Sequence, residues 1–183
     1  MRLVKPEIAL QDWAGTPCGC GCPAGHLAED LLRVARGQAR GAVSALEGHA
    51  WSPPALFLPA PAVTSVAVAA LADDIAPGAR DEFLDLLLHM VAGEATCPAG
   101  AARGFDVPAL CRDIAARGVW LLYGEVTSGR SVWAAGTAFD ILTVVETNRA
   151  RLLGVRDSAD ELLPWDCRSG LIDDECPADQ GEN

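Results

Sequence analysis

The sequence predicts an all-α fold, and three observations indicate it. Apolar residues recur at helical spacing in several segments, prolines and glycines stand at the ends of those segments, and strand signals are sparse. The 183-residue chain has no Asn-Gly or Asp-Gly pair to mark a tight hairpin, and it has one tyrosine. Half of its residues are apolar, which is enough to bury the core of one domain.

In the first half of the chain, breaks between helices are marked by turn-forming residues. Two short helices are predicted over residues 26–35 and 38–49, separated near Gly37. A third begins at Pro61, runs to Leu71 and stops before Asp73.

The strongest helical pattern covers residues 77–93. Phe83, Leu87 and Met90 follow the i, i+4, i+7 spacing of one helix face. Pro77 opens this segment and Gly93 closes it, as is typical of helices.

The second half predicts two longer helices. Asp106 before an early proline is typical of an N-cap, and the helix that follows reaches Leu122. Residues 131–153 form the other, with Ala135, Phe139 and Leu142 on one face.

The helices come in pairs, with an arginine near the start of each second member. Arg40, Arg80 and Arg130 are 40 and 50 residues apart, close to the period of roughly 40–47 residues in HEAT and armadillo arrays. The spacing predicts a short HEAT-like α-solenoid of about three helix pairs. A compact helical bundle is the alternative.

The chain also resembles small bacterial HEAT-repeat proteins, from Trp13 to about Leu153. The features that carry the resemblance are "SALEGHAW", the proline-rich loop, "PAPAVTSVAVAALAD", "RDEFLDLLLHMVAGE" and "ALCRDIAARGVWLLYGEV". His49 before Ala60-Pro61-Ala62-Val63, and Cys111-Arg112 opening a later helix, match the family pattern. The resemblance implies a binding scaffold of accessory or immunity type and no catalytic residues. The "CGCGC" segment and the acidic tail depart from the family.

Charge divides the chain into two parts, a HEAT-like domain over residues 1–154 and an acidic tail over 155–183 that we expect to be partly disordered. The net charge is −11, and the tail contains nine acidic residues against two arginines. This balance argues against a nucleic-acid partner and favours a basic protein or peptide.

Composition also predicts the compartment. The N-terminus lacks the apolar run of a signal peptide, so the seven cysteines are expected to be reduced thiols in the cytoplasm. Residues 50–72 carry no charge, but four prolines interrupt the segment, so we expect no membrane partner. A homodimer through this apolar segment is an alternative.

The segment Pro17–His26, "PCGCGCPAGH", is the candidate chemical site. Cys18, Cys20 and Cys22 with His26 offer three sulfurs and one nitrogen, suited to Zn²⁺ or Cu(I). The spacing is tighter than the two intervening residues usual in zinc sites, and no second cysteine pair follows. We therefore favour an exposed small-residue loop without a cofactor, and keep the metal site, or a small enzyme built on it, as the alternative.

The candidate binding residues are Trp51 and His49 in the proline-rich loop, together with Arg40, Arg80 and Arg130. Trp51 is expected to be partly exposed in its loop, whereas Trp120 and Trp133 are expected in the core. The sequence thus predicts a non-catalytic scaffold that binds a protein or peptide.

Overall fold

The computed structural model describes residues 1–168, and helices make up most of this range. The helices are α1 Val4–Leu10, α2 Gly25–Ala35, α3 Ala42–Leu46, α4 Ala60–Ala72, α5 Pro77–Ala92, α6 Pro98–Ala101, α7 Val107–Ala116, α8 Val119–Thr127, α9 Val132–Val145, α10 Arg149–Ala159 and α11 Trp165–Arg168, with a 3-10 turn at Asp160–Leu162. Three two-residue strands accompany them: β1 Trp51–Ser52, β2 Ala55–Leu56 and β3 Ala95–Thr96. The predicted helical class is therefore confirmed, with a small sheet added.

Helix α5 lies at the centre of the molecule. It packs against α2, α3 and α4 from earlier in the chain and against α7 and α9 from later. Phe83, Leu84, Leu86 and Leu87 are all fully buried, so its apolar residues face neighbours on more than one side. The helix thus buries more than the single face marked by Phe83, Leu87 and Met90.

Helix ends follow the local chemistry. Asp106 caps α7 by accepting a hydrogen bond from the Ala109 amide at 3.0 Å, as expected for an N-cap. The helix predicted to reach Leu122 instead breaks at Gly118, between α7 and α8. A Cβ at Gly118 would lie 2.9 Å from Val68 Cγ1, so the break also lets the chain approach α4 closely.

The small sheet was not predicted from the sequence. Strands β1 and β2 pair antiparallel, with Trp51 opposite Leu56, and β2 pairs parallel with β3. Each strand has only two residues, too few to show a period-2 pattern. The sheet joins the proline-rich loop to the segment after α5.

A buried carboxylate ties the N-terminus to the end of α4. Asp73 accepts hydrogen bonds from the backbone amides of Arg2, Leu3 and Val4, at 3.0, 2.8 and 3.2 Å. These amides lie at the start of α1, where no carbonyl of that helix can reach them. Asp73 thus acts as a cap supplied from another helix.

The last described segment packs back onto the domain. Helix α10 continues across the predicted boundary between residues 154 and 155. Leu163 is fully buried, and Pro164 lies so close to Gly136 of α9 that a Cβ there would be 2.6 Å from Pro164 Cγ. The disorder expected for the end of the tail concerns residues outside the described range. Among residues 1–168, no helix combines the length and apolarity needed to cross a membrane.

Candidate metal centre

The cysteine-rich segment folds into a tight turn with paired arms. The Cys18 amide donates to the Cys22 carbonyl at 2.8 Å, and the Gly21 amide donates to the Cys18 carbonyl at 2.9 Å. Gly21 has a φ of 85°, a conformation that glycine adopts without the strain of a Cβ. This turn buries Cys18 and leaves Cys20 exposed at its tip.

A second turn, at the end of α3, approaches the first. Gly48, with a φ of 77°, leads into His49, whose carbonyl accepts from the Gly19 amide at 2.9 Å. A Cβ at Gly19 would lie 2.4 Å from the Gly48 carbonyl oxygen and 2.7 Å from the Phe57 ring. Glycine at position 19 therefore permits the close contact between the two turns.

His26 projects from the first turn of α2 towards the same point. Its Nδ1 donates to the Pro23 carbonyl at 3.2 Å, which leaves the Nε2 lone pair available. Nε2 lies 3.6 Å from Cys18 Sγ and 3.0 Å from His49 Nδ1. A hydrogen bond from the second ring nitrogen to a backbone carbonyl is a usual feature of metal-binding histidines.

Four side chains thus converge: Cys18, Cys20, His26 and His49. One potential ligand atom from each lies within 4.8 Å of all the others. Two sulfurs and two imidazole nitrogens are the ligand set of many tetrahedral zinc sites.

The spacings among three of the four ligand atoms, those of Cys18, His26 and His49, fit a single tetrahedral ion. Typical zinc–ligand lengths place sulfur and nitrogen about 3.6 Å apart, and two nitrogens about 3.3 Å apart, around one ion. The Cys18 Sγ distances to His26 Nε2 and His49 Nδ1 are 3.6 and 3.3 Å, and the two nitrogens are 3.0 Å apart. Two unprotonated ring nitrogens at this distance would repel each other, so without a metal ion one of them must carry a proton. A metal ion that accepts both lone pairs would take the place of that proton.

The two thiols have different environments. The Cys22 backbone amide, by hydrogen bonding to Cys20, lowers the pKa of that thiol, which favours the thiolate that a metal requires. Burial raises the pKa of Cys18, so this thiol lacks the lowered pKa that is usual in a reactive nucleophile. The environment of Cys20 thus favours a thiolate ligand, whereas Cys18 would have to lose its proton on binding a metal ion.

The structure changes one member of the ligand set predicted from the sequence. Cys18, Cys20 and His26 come together as that hypothesis requires, but Cys22 is exposed and lies outside the group. It lies in the returning arm of the turn, where its backbone pairs with Cys18. His49 takes the fourth place, 23 residues beyond His26; the sequence had indicated it as a binding residue of the proline-rich loop and not as a metal ligand.

The other predicted binding residues are less accessible than expected. Trp51 was expected to be partly exposed but is only 7% exposed, because it lies in β1 against the His89 ring. Arg80 and Arg130 both pair with the buried carboxylate of Glu125, while Arg40 is exposed. Arg80 and Arg130 therefore hold helices together.

The tryptophans predicted to lie in the core are exposed instead. Trp120 is 68% exposed and Trp133 is 49% exposed. Trp120, in the first turn of α8, lies beside Arg151, whose guanidinium is 4.9 Å from the ring centroid. Leu122 and Phe139, the apolar residues that suggested a core position, are buried, while the two indoles are not.

Comparison with known proteins gives no assignment. No family profile, no curated protein and no solved structure matches the chain. The resemblance to HEAT-repeat proteins therefore stays a prediction, and function must be argued from the site itself.

Proposed function

We propose that this protein binds one zinc ion through Cys18, Cys20, His26 and His49. The observation that carries the proposal is the convergence of these four ligand atoms within 4.8 Å of one another. Two sulfur and two imidazole ligands in tetrahedral spacing favour zinc over the hard cations, which prefer oxygen. Four protein ligands leave no open position, so the ion has a structural role rather than a catalytic one.

Such an ion would join three separate parts of the chain. The cysteine turn, the start of α2 and the turn after α3 each contribute ligands. The zinc ion would fix the edge of the domain from which the proline-rich loop departs. It would therefore stabilise the geometry of that loop.

The decisive experiment compares metal content in three single variants. Native mass spectrometry of protein purified under reducing conditions should show one zinc in the wild type. His49→Ala and Cys18→Ser should lose it. Cys22→Ser, the matched thiol control from the same turn, should keep it.

Cobalt substitution provides a second readout of the ligands. Co²⁺ in the wild-type site should show the intense visible bands of a tetrahedral thiolate centre, and Cys20→Ser should weaken the sulfur-to-cobalt band. A metal-free wild type, or equal loss in Cys22→Ser and His49→Ala, would overturn the proposal.

A second function, protein binding by a helical-repeat scaffold, is favoured by the exposed aromatic residues. Trp120, Trp133 and Trp165 are 68%, 49% and 74% exposed, and tryptophan is enriched in interface hot spots. In this proposal the helix pairs form a short HEAT-like solenoid whose partner is a basic protein, since the chain carries a net charge of −11. An accessory or immunity-type role and a cytoplasmic location belong to the same proposal.

The scaffold proposal is tested by affinity capture from the native host. Wild-type protein should retain a stoichiometric partner that salt weakens, and Trp133→Ala should release it without changing the melting temperature. Retention of the same partner by Trp133→Ala and Trp120→Ala alike would contradict the proposed surface.

A further inference from the structure

We infer that Cys18 and Cys20 are also a redox pair, which a small-molecule disulfide oxidises to one intramolecular disulfide bond. The inference rests on the proposed zinc site, since both sulfurs are ligands there and their oxidation releases the ion. Their Sγ atoms lie within 4.8 Å of each other. A disulfide bond brings two sulfurs to about 2 Å, so rotation of the two side chains supplies the remaining approach.

The backbone of the cysteine turn keeps the two residues within bridging reach. The Gly21 amide donates to the Cys18 carbonyl at 2.9 Å, which closes a tight turn over residues 18–21. Gly19, the residue between the two cysteines, has no side chain to separate them. Disulfide-bonded cysteines have their Cα atoms about 4.4–6.8 Å apart, a separation that residues two apart in a turn satisfy.

The exposure of the two thiols gives them different parts in the reaction. Cys20 is exposed at the tip of the turn, whereas Cys18 is 6% exposed. A disulfide from solution therefore reaches Cys20 first, and Cys18 reacts only with a group already attached to Cys20. An accessible thiol beside a second, resolving thiol is typical of redox-sensitive cysteines.

Oxidation proceeds in two exchange steps. The Cys20 thiolate attacks one sulfur of a disulfide RSSR, which forms a mixed disulfide at Cys20 and expels RS⁻. The Cys18 thiolate then attacks Cys20 Sγ, forms the intramolecular bond and expels the second RS⁻. RSSR gains the two electrons that the protein loses, and water protonates the expelled thiolates. The zinc ion dissociates, because it is left with two imidazole nitrogens and no thiolate.

Cys22 is the competing thiol, because it is also exposed and its side chain hydrogen-bonds to Cys20. Cys18 is favoured over Cys22 because a bound metal ion holds Cys18 as the thiolate, the form that attacks a disulfide. Cys22 lies outside the group of converging ligands and gains no thiolate in this way. The geometry therefore pairs Cys18 with Cys20 and leaves Cys22 reduced.

The test treats the full-length, zinc-loaded protein with bis(2-hydroxyethyl) disulfide, a neutral probe. A chromophoric chelator should record the release of one zinc per chain, beyond any release in a sample without the probe. Dithiothreitol should restore zinc binding, because an exposed disulfide is readily reduced. Cys22→Ser is the matched control from the same turn and should release zinc at the wild-type rate.

Differential alkylation locates the bond. Thiols left free after oxidation are alkylated with one reagent, the disulfide is reduced, its thiols are alkylated with a second reagent, and peptide sequencing assigns the labels. Cys22 should carry the first label, and Cys18 and Cys20 the second. A bond that includes Cys22, or a mixed disulfide that persists at Cys20, would overturn the inference.

The same labelling separates this inference from the zinc proposal. Protein that contains no zinc but forms the bond between Cys18 and Cys20 would contradict the zinc site and retain the redox pair. Protein that binds one zinc and keeps all three thiols free in the presence of the probe would contradict the redox pair and retain the zinc site.

Discussion

At the residue scale, the candidate metal centre depends on backbone contacts as much as on ligand side chains. Gly19 contributes no ligand, yet its amide joins the cysteine turn to the His49 carbonyl at 2.9 Å. The cysteine turn and the turn after α3 approach each other this closely only because Gly19 has no Cβ. Residues that orient ligands commonly affect metal affinity about 10- to 100-fold.

Gly19→Ala should therefore weaken zinc binding at least about tenfold, because the new Cβ would meet the Gly48 carbonyl oxygen and separate the turns. Competition with a chromophoric zinc chelator measures the dissociation constant. Gly25→Ala is the control, since a Cβ at Gly25, beside His26, meets nothing within 4 Å. Equal affinities in the two variants would show that the Gly19 contact does not support the site.

Asp73 is the residue whose charge matters most to the N-terminus. Hydrogen bonds from the backbone amides of Arg2, Leu3 and Val4 hold its pKa well below the usual range, even though burial alone would raise it. A lowered folded-state pKa contributes stability that is complete above the unfolded pKa of about 4. That contribution is lost as the pH falls towards the pKa of Asp73 in the folded protein.

Asp73→Asn should lower the free energy of unfolding by about 2 kcal/mol at pH 7, because a neutral amide accepts these hydrogen bonds less strongly than a carboxylate. Urea unfolding of both proteins at pH 7 and at pH 3 checks this. The difference between them should shrink at the lower pH, since the unfolded wild type then binds a proton that the folded protein resists. A difference independent of pH would mean that charge at Asp73 plays no part.

At the scale of elements, one buried carboxylate connects three helices. Glu125 of α8 is 5% exposed and pairs with Arg80 of α5 and with Arg130, just before α9. Arg130 also pairs with Asp81, at 2.5 Å. Two of the three arginines that suggested repeating helix pairs, Arg80 and Arg130, thus meet at one acidic residue. Breaking a buried pair leaves an uncompensated charge and costs more than breaking an exposed one.

Glu125→Gln should lower the free energy of unfolding by about 3 kcal/mol, because two half-buried arginines lose their shared partner. Asp30→Asn serves as the control. It breaks the pair with Arg33, whose side chain is 61% exposed, and should cost less than about 1 kcal/mol. Denaturant unfolding of both variants gives the comparison, and a similar cost for the two would show that Glu125 behaves as a surface residue.

At the scale of the whole molecule, the candidate metal centre borders a single large core, to which its Cys18 belongs. Buried residues run from Val4 in α1 to Leu163 after α10 in one continuous cluster. An ion that binds only the folded state raises stability by mass action. At a free zinc concentration 100 times the dissociation constant, the gain is about 2.7 kcal/mol.

Chelation should accordingly lower Tm by about 5–10 °C, given about 2–4 °C per kcal/mol for a domain of this size. Differential scanning calorimetry with and without a zinc chelator measures the shift. His49→Ala should melt at the same temperature in both conditions, because it has no ion to lose. A chelator effect of equal size in His49→Ala would place its cause elsewhere.

Much of the helical structure was determined by the sequence itself. The apolar spacing and flanking residues predicted α4 and α5 to within one residue at each end, and Asp106 predicted the start of α7. These signals are local, since capping and periodicity act over a few residues. Three of the four converging ligands were also predicted, because Cys18, Cys20 and His26 lie within nine consecutive residues.

Only the tertiary structure decided which residues face each other across the chain. The fourth side chain of the candidate metal centre is that of His49 rather than of Cys22, which is nearer in sequence, because a close approach at Gly19 joins two turns that are far apart in the chain. Trp51 is buried and Trp120 exposed, the reverse of their predicted positions, because burial follows packing and not local composition. Local interactions therefore determined the elements, and long-range packing determined the sites.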